Sequence, residues 1–266
     1  MNKLWLAAAA AFFMISTAQA WEVEAVNKAI NETNFMVNGG CSGTLVSLEQ
    51  NHILTAEHCV DALTIMVEED EVQPDGTVEK KRRYYRKPLE VAQSTYNDDG
   101  DIVGTVTYRA TIVGTDKKTD LALLKVGAKL PNTYASPILP ADRKIQRGEV
   151  AWIVGNPMGL EATVTRGIVS HLRRELKGAS GYENDVKFTQ IDAGASPGNS
   201  GGAIYNDEGQ IIGVLVRGYN GQNHLSFGVG IEAIRKFMAN PTGVLASPYG
   251  GPPERSLNLG AANDPR

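Results

Sequence analysis

The stretch QIDAGASPGNSGGAIYNDEGQIIGV, residues 190–214, sets Ser200 in a frame of glycines ahead of two short β-type runs, Gly202–Tyr205 and Ile211–Val216. A nucleophilic hydroxyl needs open approach, and the amides of Gly198 and Ser200 must both turn toward an oxygen that develops negative charge. Glycine permits the backbone angles of such a turn. Ordinary turn chemistry uses the same residues, so the serine needs partners before it means catalysis. Two other places offer them. In TAEHC, residues 55–59, His58 closes an apolar strand beside a cysteine. In KTDLALLKV, residues 118–126, Asp120 opens a buried strand, where an ionised carboxylate needs a partner such as an imidazole N–H.

Working outward, the chain has 266 residues, 42% of them hydrophobic and 21% charged, with 28 Gly and 12 Pro. That suits one large or two small turn-rich β domains and excludes disordered and collagen-like chains. A net charge of −4 gives no electrostatic case for nucleic acid. Lys3, the apolar run Leu4–Ile15 and Ala18-Gln19-Ala20 have the form of a signal peptide over residues 1–20, too short in its apolar part for a membrane anchor. Export to a periplasm or the exterior is therefore expected, with no transmembrane anchor after cleavage. An oxidising compartment allows Cys41 and Cys59 to pair. With four histidines and no metal-ligand spacing, neither a metal nor another cofactor is expected.

Short strands follow a helix within residues 21–34: Gly43–Val46, Ile53–Thr55, Thr64–Val67, Thr111–Val113 and Leu121–Val126. Residues 131–148, with three prolines, read as a linker. A second series comprises Val150–Val154, Ala162–Val169, Val186–Ile191, Gly202–Tyr205, Ile211–Val216 and Leu225–Val229, then a helix from Ile231 to Met238. The expected organisation is a first β unit over 21–130, a second over 149–240, and a flexible tail over 241–266. Two such halves suggest paired barrels.

The order His58, Asp120, Ser200 is that of the chymotrypsin type. The blocks GCSGTLV (40–46), TAEHC, VGTDKKTDLALLKV (113–126), GNPMGLEATVTRGIVS (155–170) and the Ser200 stretch resemble the trypsin-like serine endopeptidases of the HtrA (Deg) kind. The resemblance implies an all-β fold of two six-stranded antiparallel barrels with short N- and C-terminal helices. It implies an acyl-enzyme mechanism with Ser200 as nucleophile, His58 as general base, Asp120 orienting it, and the amides of Gly198 and Ser200 as oxyanion hole. The Cys41–Cys59 bridge resembles the disulfide beside the histidine in trypsin and chymotrypsin. Protein or peptide substrates are implied. The rival reading is a trypsin-fold binding module without catalysis.

In the trypsin-like arrangement, Gly194 would form the pocket floor and Val216, Arg217 and Gly218 a wall. Without a carboxylate at the floor, cleavage after small to medium aliphatic residues is expected. Asn199 stands where zymogen-type relatives carry an aspartate before the nucleophile, so activity without zymogen cleavage is expected. HtrA proteins usually continue into PDZ domains, and the residues after Asn240 are too few for one, so none is expected. Residues 68–100 read as a charged insert, a hairpin around Pro74-Asp75-Gly76. Centring its turn on Asp75-Gly76 pairs Glu71, Asp70, Glu69 and Glu68 with Lys80, Lys81, Arg82 and Arg83, whereas a three-residue loop slips the register and puts Glu71 opposite Glu79.

Overall fold

Six runs from the N-terminal half and six from the C-terminal half each close on themselves, as short strands with one apolar face do when no edge is left open. The computed structural model describes residues 26–61, 64–97, 99–176, 186–219 and 222–241. The expected leader, and the tail beyond residue 241, lie outside them. The strands are β1 (Asn34–Val37), β2 (Cys41–Ser47), β3 (His52–Thr55), β4 (Thr64–Val72), β5 (Val78–Arg86), β6 (Leu89–Tyr96), β7 (Ile102–Asp116) and β8 (Leu121–Val126). The second half adds β9 (Val150–Gly155), β10 (Thr163–Arg174), β11 (Phe188–Ile191), β12 (Ala203–Tyr205), β13 (Ile211–Tyr219) and β14 (Gln222–Gly230). The one-turn helix α1 (His58–Asp61) follows β3, and α2 (Ile231–Ala239) follows β14. A π-helical turn, Ala29–Thr33, precedes β1.

The first barrel runs β1-β2-β3-β8-β7-β6 and the second β10-β11-β14-β13-β12-β9, all pairings antiparallel. This is the two-barrel, chymotrypsin-like architecture expected from the resemblance. Ile53, Leu54, Leu121, Leu123 and Leu124 are buried on the first-barrel strands, on both faces because successive side chains alternate, and Ile153, Val169, Ile191, Ile204 and Leu215 cluster in the core of the second half. Among the described residues no helix is long and apolar enough to cross a membrane.

The expected insert over 68–100 is corrected. Only β4 and β5 stand apart, as a two-stranded sheet, while Leu89–Tyr96 is barrel strand β6. Its alternation of buried Leu89 and Val91 with exposed Glu90 and half-buried Ala92 was masked by the charged hairpin before it. Strand β7 also extends well before Thr111: its first half is mostly exposed, with Ile102, Val103 and Val106 among residues that face water. The hairpin takes the slipped register, Glu71 opposite Glu79 and Asp70 opposite Lys80. Pro74, Asp75 and Gly76 form its loop, with Gly76 at φ 85° and the Gln73 and Thr77 backbones bonded across it. Like charges facing at 71 and 79 are offset by diagonal pairs: Lys81 to Glu71 at 3.0 Å and Arg83 to Glu69 at 2.8 Å.

Candidate active site

Strands β3 and β8 are neighbours, with Thr55 opposite Ala122. Three residues beyond Thr55 and two before Ala122 lie at the same end of that pair, so barrel closure brings His58 to Asp120 across 62 residues of chain. Asp120 takes φ 57°, a left-handed conformation that aspartate tolerates, at the end of the turn from Asp116. Asp116 holds that turn by accepting from Lys118 N, Thr119 N and the Thr119 hydroxyl. Asp120 is buried, its side chain 7% exposed, and its carboxylate grips His58 twice. Oδ1 accepts the His58 backbone N–H at 2.9 Å, and Oδ2 lies 2.8 Å from Nδ1. A carboxylate only accepts, so Nδ1 carries the proton and Nε2 keeps its lone pair toward the cleft. The hydrogen bond to Asp120 raises the His58 pKa above its ordinary value, against the lowering effect of burial.

Ser200 arrives from the second barrel. Gly201 N–H donates to Leu215 O and Leu215 N–H to Gly202 O, which ties the loop to β13. Its other side leans on the first barrel: Ser42 N–H donates to Ser200 O at 2.8 Å. The Cys41–Cys59 disulfide is formed, and Cys59 Sγ lies 3.6 Å from Ser200 O. Gly201, at φ 85°, leaves no room for a Cβ, which would collide with Ser42 O and the Thr55 hydroxyl. Gly198 has φ 102°, and a Cβ there would stand 2.5 Å from Asn156 O and 2.7 Å from Met158 N. Among the described residues the amides of Gly198 and Ser200 have no protein acceptor. The Ser200 hydroxyl makes no hydrogen bond to His58 within 3.5 Å.

Sequence reasoning missed four residues here. Ser42 is fully buried; its hydroxyl donates to Gly198 O at 2.7 Å and accepts from Asn156 N at 2.8 Å. The Asn156 side chain then bridges the barrels, accepting from Asn34 Nδ2 at 2.9 Å and donating to Phe35 O at 3.0 Å. Glu57, next to His58, is 4% exposed with Oε1 unpartnered. Burial, reinforced by Asp61 and Asp120, raises its pKa. Ser226 on β14 is buried and donates to Ala193 O at 2.7 Å, one residue from Gly194. Val216 is buried, and Gly218 faces Ala195, whose O would be 3.6 Å from a Cβ at 218. Thr165 donates to Gly194 O at 2.8 Å. Arg217 is half-buried on β13, opposite Phe227.

Residues 41–214 match the family model of the trypsin-like peptidase domain. A Chlamydia pneumoniae protein named probable periplasmic serine endoprotease DegP-like is 41% identical over 137 residues, which cover 50% of this chain and 26% of that protein. A Staphylococcus haemolyticus protein named serine protease HtrA-like is 36% identical over 151 residues, covering 53% of this chain and 22% of its own length. A solved structure of an HtrA-type protease, an AlgW variant with tripeptide, superposes with a TM-score of 0.58 at 26% identity, covering 82% of this chain and 62% of that one. The chain thus spans well under half the length of the curated relatives it matches.

Proposed function

The chain belongs to the trypsin-like peptidase domain family, and from that premise we propose that it is an exported serine endopeptidase that cleaves proteins after small to medium aliphatic residues. The observation that carries the reading is the double grip of Asp120 on His58, which directs the proton to Nδ1 and supports Nε2 as the base. In the proposed reaction the Ser200 hydroxyl attacks the peptide carbonyl while His58 Nε2 takes its proton. The Gly198 and Ser200 amides donate to the oxyanion. His58 returns the proton to the leaving amine, and water then hydrolyses the acyl-enzyme by the same route.

Substrate would lie extended along residues 216–218 of β13, paired through backbone groups that read no side chain. The primary pocket would be floored by Gly194 and walled by Val216, Arg217 and Gly218. Ser226 supports a short pocket because its hydroxyl is tied across the base to Ala193. No carboxylate stands at the floor, so an arginine or lysine there would be desolvated and unpaired. Asn199, 2% exposed and uncharged, supports activity without a new N-terminal amine to neutralise it. The export proposal is supported by the periplasmic name of the DegP-like relative and by the disulfide. The leader over 1–20 would be removed.

Casein digestion with mass spectrometry of the cut sites, alongside fluorophosphonate labelling, tests activity and specificity together. Ser200→Ala should abolish labelling and lower proteolysis by about 10⁴ or more. Undiminished proteolysis would end the proposal. Ser226→Gly should move cleavage toward larger apolar residues. A profile dominated by Lys or Arg would show that the pocket lies elsewhere.

A further inference from the structure

A cavity of about 560 Å³ opens where the end of β10, the start of β11, the first turn of α2, residues 141–145 and the turn before β8 meet, and none of His58, Asp120 and Ser200 lines it. Its size is that of a small-molecule site. Seven cationic side chains line it against one acid, Glu232, in a chain whose net charge is −4. Composition does not account for such a cluster. Three of the cations have acids as partners: Arg143 holds Glu149 at 3.1 Å, Arg173 holds Glu232 at 2.7 Å, and Lys187 holds Glu175. Arg235 donates to the carbonyls of Leu139 and Pro140 instead. Lys144 and Lys236 are exposed and have no acid within salt-bridge distance among the described residues. Between these charges the wall is aliphatic, on Ile145, Leu172, Val186 and Ile231. Thr189 on β11 adds a donor. It is 2% exposed, yet its hydroxyl makes no hydrogen bond among the described residues. That hydroxyl stands beside Gly230, 3.4 Å from where a Cβ there would lie, and both residues line the cavity. A buried hydroxyl without a partner is costly. Gly230 in turn offers no side chain to cap the nine-residue helix α2, whose first-turn residues Ile231, Glu232 and Ala233 line the same cavity.

We infer that this cavity binds a phosphoryl group carried on a short aliphatic body. Every polar group that it offers without a partner of its own is a donor: the Thr189 hydroxyl, the uncapped first turn of α2, and the ammonium groups of Lys144 and Lys236. The lining acid, Glu232, is neutralised by Arg173. A phosphate monoester presents three oxygens and accepts from more of these donors than a carboxylate does. The aliphatic wall receives the body, and no aromatic ring lines the cavity to stack on a base. A free alkyl phosphate and the headgroup of phosphatidic acid share this chemistry. The site stands independently of the catalytic reading, because it uses neither the proposed nucleophile nor the proposed base.

The test titrates hexyl phosphate calorimetrically into the full chain carrying Ser200→Ala, which excludes self-digestion, in about 0.05 M salt. Hexyl phosphate should bind about tenfold or more tightly than inorganic phosphate, because its methylene groups reach the aliphatic wall, and hexanol should not bind measurably. Thr189→Val keeps the shape of the side chain and, since the hydroxyl has no partner to lose, should keep the fold. It should weaken hexyl phosphate about tenfold. Lys144→Gln combined with Lys236→Gln should weaken it about fivefold, and the double variant decides the matter if Thr189→Val fails to fold. Unchanged affinity in a folded Thr189→Val chain, or hexanol binding as tightly as hexyl phosphate, would overturn the proposal. Vesicles of phosphatidic acid in phosphatidylcholine separate the two sources. Cosedimentation that Thr189→Val abolishes assigns the site to a lipid headgroup, and hexyl phosphate binding without cosedimentation assigns it to a free ester.

Discussion

Replacing Ser42 by Ala removes a single hydroxyl that belongs to the first barrel, yet the sharpest loss should fall on the second. Ser42 Oγ donates to Gly198 O at 2.7 Å and accepts from Asn156 N at 2.8 Å, and the residue has no exposed surface. Alanine leaves a backbone carbonyl and a backbone amide buried and unpaired. At about 1–3 kcal/mol for each such group, with some relaxation, the expected loss of stability is about 2–4 kcal/mol. For a protein of this size each kcal/mol corresponds to about 2–4 °C in Tm. The second consequence is catalytic. The Gly198 peptide loses the bond that fixes its carbonyl, and its amide, proposed to face the oxyanion, loses its aim. Removing such a donor outright costs about 10²–10³ in kcat, so loosening one should cost about 10–10². Urea unfolding and kcat/KM, measured well below Tm, separate the two effects. A variant with the full stability loss and kcat/KM within about twofold of the parent would refute the idea that Ser42 aims the Gly198 peptide.

Three further outcomes are expected. Asp120→Asn should lower turnover by about 10⁴ while Asp116→Asn, which loses only caps of the turn, should cost stability of about 1 kcal/mol and little activity; the reverse ranking in steady-state assays would reassign the orienting acid. Because the folded pKa of His58 is raised, chiefly by Asp120, the stability from that pair is fully present below the ordinary histidine value near 6.5 and lost as pH rises through the raised one. Unfolding of wild type and Asp120→Asn should accordingly differ most near pH 5.5 and least near pH 9, and a difference that grows with pH would contradict the assignment. Replacing residues 67–83 by an Asn-Gly turn should leave Tm within about 2 °C, since β4 and β5 pair with each other alone and their ion pairs are exposed; a collapse of the barrel signal in circular dichroism would show that the hairpin braces the first barrel.

Most of the architecture was legible because its signals are local. Leu121–Val126 reads as a buried strand from its apolar run alone, and five of its six residues are buried. Ser200 announces itself through its glycines, and His58 and Asp120 through the strands they close and open. What escaped was set by partners far away in sequence. Strand β1, Asn34–Val37, is four residues long and shows its apolar pattern only when paired with β2 and β6. The slipped register of the hairpin was decided by the three-residue loop, against the direct charge pairing that the alternative would have given. Ser42 and Asn156 are neutral side chains whose importance lies in a contact across 114 residues. Glu57 did have a local signal, an acid between a buried strand end and a candidate base.

The residues that escaped share a location, and the location explains why they are polar. The barrels meet on Asn34, Ser42 and Asn156 at one point and on Thr33, Ser136 and Tyr205 at another, where the tyrosine hydroxyl lies 3.0 Å from the Ser136 hydroxyl and 3.2 Å from that of Thr33. An apolar seam of the same area would hold the barrels together as well, but apolar contacts are non-directional and tolerate sliding. Hydrogen bonds are directional and weaken steeply as donor and acceptor leave their alignment. His58 and Asp120 are fixed to one barrel and Ser200 to the other, so any slip along the seam would separate the proposed base from the proposed nucleophile, where an error of about 1 Å can cost 10² in rate. The polar seam therefore sets alignment as well as contributing stability, and it does so through Ser42, which also holds the Gly198 and Ser200 carbonyls.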